Sequence, residues 1–151
     1  MIKVLVVPPS AVQKTVAAQI AGAVEVACLS FTLSAQSLRE SAKKGARVVV
    51  IGPDAQSDVR ISVENLSSIG ISIQHVLQSL KSPRKVIIEG FSHLAIRLPA
   101  ESVRRFALFL TTRLRSSDVE AVFVVSKEGQ LGSVLPVLMQ AADEVISGKG
   151  Q

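Results

Sequence analysis

Residues 4–20 read VLVVPPSAVQKTVAAQI, and this stretch decides the fold. With Lys3 before it, Val4–Val7 is an unbroken aliphatic run, the pattern of a strand covered on both faces. Pro8-Pro9 ends the strand, because neither residue offers an N–H to a sheet ladder. Ser10 then stands where an N-cap belongs, and apolar residues return at helical spacing as far as Ala21, with Gly22 after them. Strand, sharp turn and helix in that order form the opening of a βαβ unit.

The same alternation continues outward from this opening. Val24–Leu29 reads as a strand, and Ser34 caps a helix that runs through Lys44 until Gly45 stops it. Ala46–Ile51 is the next strand, closed by the turn residues Gly52-Pro53-Asp54. Residues 55–65 are polar and show no period. From Leu66 to Leu80 the residues Leu66, Ile69, Ile73, Val76, Leu77 and Leu80 repeat at helical spacing. After the breaker Ser82-Pro83 comes the strand Lys85–Ile88, and Pro99 opens a helix to Leu114 with Val103, Phe106, Leu110 and Leu114 on its inner face. Val119–Val125 is a strand, Leu131–Ala142 a helix with Pro136 as a blemish, and Glu144–Ile146 a short last strand. The spacing predicts an α/β fold of three layers, with a mostly parallel central sheet of about five to six strands and helices on both faces. One domain over residues 1–151 is expected, with 147–151 as a polar tail.

Composition agrees with a globular chain. Of 151 residues, 48% are hydrophobic and 19% charged, far from the composition of disorder. No apolar run approaches the roughly 18 residues of a membrane span, and Val4–Val7 is short of the roughly 7–15 apolar residues of a signal peptide. The expected location is the cytoplasm. Cys28 is the single cysteine, which excludes an internal disulfide and a cysteine zinc site and reads as a small core residue. The net charge of +5 leaves nucleic acid open as a partner. The basic residues are scattered, however, in Lys43-Lys44-Arg47, Lys81-Arg84-Lys85, Arg104-Arg105 and Arg113-Arg115. With no Trp or Tyr and five Phe, the chain has few rings on which bases stack, so these charges read as a solvated surface.

In a parallel sheet, ligands bind where strands end and helices begin. The first such junction, Pro8-Pro9-Ser10-Ala11-Val12-Gln13-Lys14-Thr15, aligns with the phosphate-binding pattern G-x-x-x-x-G-K-[ST] at its Lys and Thr. Pro8 and Gln13 stand in place of its glycines. That pattern wraps a phosphate in backbone N–H groups, using conformations that glycine reaches readily. Two prolines remove two donors, and Gln13 adds a side chain where the backbone should approach closely. Ser10, Gln13, Lys14 and Thr15 remain the candidates for contact with an anion at this helix start.

Val4–Ile20 resembles the beginning of a RecA/KaiC-family ATPase. Lys85–Glu89 with Gly90-Phe91-Ser92 is similar to the family's Walker B strand, and Ala142-Asp143-Glu144-Val145-Ile146 to the closing segment of its KaiC-like domains. The order of elements agrees over residues 3–147. The resemblance implies a parallel sheet whose phosphate-loop strand, Val4–Val7, is central and flanked by Lys85–Ile88 and Val119–Val125. It also locates the departures. Glu89 stands where the family has Asp, one methylene longer, and Ser30-Phe31-Thr32-Leu33-Ser34 holds no carboxylate where the family has the residue that activates water. Phosphoryl transfer rests on positioning and electrostatics together, so loss of cradle, metal ligand and base points to a domain without turnover.

The other constellations are poor. His75 falls on the Leu66–Leu80 helix, and His93 in the loop after Lys85–Ile88. Neither has an acid to orient it, and Ser92-His93 are adjacent, which seldom lets a nucleophile meet its base. Gly129-Gln130-Leu131-Gly132 reads as a loop and helix start. The expectation is a RecA/KaiC-like pseudo-ATPase without a cofactor, acting through association with itself or with an ATPase paralogue. The alternative is a weak sensor of ATP, ADP or phosphate, with Ser10, Gln13, Lys14, Thr15 and Glu89 as its residues. KaiC-like domains continue beyond the point where this chain stops, so an open sheet edge is expected.

Overall fold

The aliphatic runs become strands of one sheet because helices cover them from both sides. A computed structural model describes residues 1–126, 132 and 134–148. In chain order its elements are β1 (Ile2–Val7), α1 (Val12–Ala21), β2 (Glu25–Ser30), α2 (Ala35–Glu40), β3 (Arg47–Gly52), β4 (Val59–Arg60), α3 (Leu66–Ser79), β5 (Arg84–Glu89), α4 (Phe91–Arg97), α5 (Ala100–Arg115), β6 (Glu120–Ser126), α6 (Val134–Ala141) and β7 (Glu144–Ser147). The seven strands are all parallel, in the order β4-β3-β2-β5-β6-β1-β7. Side chains of α3, α4, α5 and α6 form the core on one face, and those of α1 and α2 form it on the other. This is the three-layer α/β arrangement that the alternation implies.

Four elements differ from expectation. β4 is a strand of two residues inside the aperiodic stretch 55–65, paired with β3 through Ile51 and Val59; two residues are too few to show a period. α2 stops at Glu40 rather than Lys44. The Ser41 hydroxyl donates to the Ser37 carbonyl at 3.0 Å, and Gly45 at φ 86° turns the chain back into β3. β7 extends through Ser147, one residue into the expected polar tail. α6 is described over Val134–Ala141, with Pro136 inside it. Leu131, with Gly129 and Gln130, lies outside the described residues.

The larger correction concerns the place of β1. It is parallel to its neighbours, but those are β6 and β7, and β6 stands between it and β5. Ala121, Val122, Phe123, Val124 and Val125 of β6 are all buried, and so apolar a strand needs a partner on either edge and helices above and below. β1 therefore lies second from the edge of the sheet rather than flanked by Lys85–Ile88.

Four of the five phenylalanines meet beneath the C-terminal ends of the strands. The Phe91 ring centroid lies 6.5 Å from that of Phe31, 6.0 Å from Phe106 and 5.9 Å from Phe123, joining α4, the end of β2, α5 and β6. At the opposite end of the sheet, basic side chains close helix C-termini. Arg84 donates to the Leu77 carbonyl at 2.9 Å, Arg47 to that of Ser79 at 2.5 Å, and Lys85 to that of Gln19 at 3.0 Å. Burial, offset in part by Glu120, holds the Lys85 ammonium below its usual pKa. Part of the chain's basicity is thus structural, where a purely solvated surface was expected.

Candidate functional site

Parallel strands place their C-terminal ends together, and a cleft of about 380 Å³ opens there. The β1–α1 junction supplies Pro9, Ser10, Val12 and Gln13 to its wall. Thr32 and Leu33 follow β2, Glu89, Gly90 and Ser92 lie at the end of β5, and Val124 and Ser126 at the end of β6.

At the junction, β1 passes through Pro8 (φ −62°, ψ 152°) into a single 3-10 turn over Pro9–Ala11. The Ala11 N–H donates to the Pro8 carbonyl at 2.9 Å. α1 then begins at Val12 with Ala11 at its N-cap and no side-chain bond there. Ser10 lies inside the 3-10 turn, so it lines the cleft without capping α1. Of the remaining candidates, Gln13 and Glu89 reach the cleft, while Lys14 and Thr15 are not among its lining residues. Lys14 is exposed on α1, because two residues beyond Val12 turn about 200° around a helix axis. Val16 and Ile20 take the side of α1 that faces the sheet.

Glu89 is buried, with 2% of its surface exposed. Its carboxyl oxygen Oε1 accepts the Ser30 hydroxyl at 2.5 Å and the Thr32 N–H at 3.0 Å, and the Thr32 hydroxyl lies 2.9 Å from both Oε1 and Oε2. The Ser30 hydroxyl oxygen accepts the Leu33 N–H at 3.0 Å. Ser30 and Glu89 are register partners at the last step of β2 and β5, which brings the two side chains together. Sequence reasoning named Glu89 and the Ser30–Ser34 stretch separately and missed that one holds the other. Next to Glu89, Gly90 has φ 94°, and a Cβ there would lie 2.9 Å from the Phe31 Cβ. Glycine is therefore required at the start of α4.

Among the described residues that line the cleft, Glu89 is the one charged side chain. Cys28, on the same strand as Ser30, is fully buried, and burial first and the Glu89 charge second push its thiol pKa far up. It behaves as a core residue, as its surroundings in the sequence suggested. His93 belongs to α4 rather than to a loop and is half-buried, while His75 is exposed on α3. Among the described residues no group of three His, Cys, Asp or Glu is arranged to hold a metal, and no helix is long and apolar enough to cross a membrane.

No protein-family model matches this chain, and no curated protein does. Among solved structures it is similar to a KaiC-like protein from the hyperthermophilic archaeon Pyrococcus horikoshii, at a TM-score of 0.60 and 22% identity over 96% of this chain and 69% of that one. The three-layer arrangement with its parallel sheet is thus a fold that this chain shares with a KaiC-like protein.

Proposed function

We propose that this chain is a RecA/KaiC-like domain without catalytic turnover, which works by associating with other protein chains, either a second copy or a catalytically complete relative. The observation that carries this reading is the Glu89 carboxyl group, buried and held by Ser30 and Thr32. A side chain committed to three donors from the neighbouring strand end is poorly placed to orient a metal or a water against a phosphate. The Pro8-Pro9 junction supports the same conclusion, since it offers few N–H groups where a phosphate would be cradled. With the chemistry gone, surfaces carry the function. Among the described residues β7 is an edge strand whose Val145 and Ile146 are exposed, and an uncovered edge pairs readily with another chain.

The test is hydrolysis of ATP by purified protein with magnesium, where no release of phosphate above background is expected. Turnover that disappears in Lys14→Ala would overturn the reading. The open cleft, lined by Ser10, Gln13, Thr32, Ser92 and Ser126, favours a second reading, a nucleotide sensor without turnover. Without Trp or Tyr the protein absorbs little at 280 nm, so a copurifying nucleotide would dominate the ultraviolet spectrum and identify that case.

A further inference from the structure

Phe109 is the phenylalanine that stands apart from the core cluster. It is 42% exposed on α5, yet its ring has two close neighbours. One is Gly70 of α3, where an added Cβ would lie 2.6 Å from the ring carbon Cε2. A buried glycine in mid-helix costs about 1 kcal/mol of helix propensity relative to alanine, and here it makes room for the ring. The Arg113 guanidinium also sits over the ring, 5.6 Å from its centroid. The ring forms one wall of a groove of about 840 Å³ between α3 and α5, with Phe106 in its floor and Leu66 and Ile71 opposite. Ile71 is 59% exposed.

The charge around this groove is mainly positive. Residues 91–116 hold five arginines against one glutamate, Glu101. Arg105 lines the groove and pairs with Glu101 at 3.3 Å, an exposed contact that solvent weakens. Glu64 also lines it but is bound by Arg97 at 2.6 Å. Arg113 faces the groove with the Phe109 ring beside it.

We propose that the α3–α5 groove binds an acidic amphipathic helix of a partner protein, which lays its apolar face against Phe109 and Ile71 and its carboxylates against Arg105 and Arg113. The apolar side chains border a groove between two helices with Phe106, 5% exposed, in its floor, a concave shape that takes a helix rather than a flat bilayer. A second copy is a poor occupant. The described helices of this chain carry only Glu40 and Glu101 as carboxylates, and both stand on helices rich in arginine or nearly without apolar surface to offer. A ring packed before binding loses little freedom on complex formation, which is how an aromatic anchor comes to dominate an interface. The proposal deepens the association reading by naming a surface and a partner class. The two fail separately, because ATP hydrolysis would remove the first and leave peptide binding to be measured.

The experiment is selection of a displayed library of helical peptides, about four turns long, on the wild-type protein with counter-selection on Phe109→Ala. The expected clones carry apolar residues at i, i+3 or i+4, and i+7, with Asp or Glu on the flanks. A labelled clone followed by fluorescence anisotropy should bind at least tenfold more weakly to Phe109→Ala and to Arg113→Glu, weaken with added salt, and be unaffected by Lys14→Ala. Ile71→Glu provides a second variant, at a more exposed position, should Phe109→Ala melt at a lower temperature than wild type. Any of four results overturns the proposal: no enrichment, an uncharged or basic consensus, binding that survives both groove variants, or tighter Phe109-dependent binding to duplex DNA or phosphatidylserine vesicles. Self-association of the wild type that Phe109→Ala abolishes would give the groove to a second copy and overturn it as well.

Discussion

Glu89 shows how one side chain can look like chemistry in the sequence and act as structure in the fold. A carboxyl at the end of a parallel strand stands where a metal ligand would, but the Ser30 and Thr32 hydroxyls and the Thr32 N–H bind it, mostly at Oε1. These bonds tie the chain after β2 to the end of β5 and fix the entrance to α2. Glu89→Ala should therefore destabilise the protein by about 2–4 kcal/mol in urea unfolding, since it removes the acceptor and leaves the buried Ser30 hydroxyl unsatisfied. Glu89→Gln, which keeps an acceptor oxygen and the volume, should cost roughly half as much. A carboxyl retained for catalysis gives the opposite outcome, because replacing such a group commonly leaves stability unchanged or raises it.

At the scale of elements, carboxylates bind backbone N–H groups where strands and helices start. The Asp54 oxygen Oδ2 accepts the Ala35 N–H at 2.8 Å, adding to the Ser34 cap of α2, whose hydroxyl accepts the Ser37 N–H at 3.2 Å. Asp143 accepts the Ile2 N–H at 2.7 Å, with Arg115 at 3.7 Å, and so fastens the entry of β7 to the start of β1. The bond from Ile2 holds the Asp143 carboxyl below the usual aspartate range, and the Gln56 and Ala35 N–H groups do the same for Asp54. A depressed folded-state pKa gives stability that is fully present above the ordinary aspartate pKa, near 4, and is lost as pH falls through the folded value. In acid titration followed by circular dichroism, Asp143→Asn should thus lose less stability below about pH 4 than the wild type does. An unchanged acid slope would show that the Ile2 bond contributes nothing to the linkage.

For the whole molecule the question is which surfaces meet other chains. Among the described residues the sheet ends at β4 on one side and at β7 on the other, and β7 carries exposed Val145 and Ile146. Static light scattering should show the wild-type mass rising with concentration, and Ile146→Lys should hold it near the monomer, since lysine on an edge strand discourages further pairing. Lys14→Ala combined with Thr15→Ala should leave the association state as it is and move stability by less than about 0.5 kcal/mol, because Lys14 is exposed and neither residue lines the cleft. A wild type that stays monomeric and binds ATP tightly through Lys14 would make the sensor reading correct.

Local pattern alone determined the alternation of strand and helix, the parallel class of the sheet, the burial of Cys28 and the special residues of the β1–α1 junction. Each follows from side-chain periodicity or from the backbone limits of proline and glycine, which act over a few residues. Only the tertiary structure decided that β6 separates β1 from β5, that Ser30 faces Glu89, and that Gly70 seats Phe109. These contacts join residues far apart in the chain. Strand neighbours are chosen by how crossovers pack against one another, and the periodicity of a strand carries no information about which strand lies beside it.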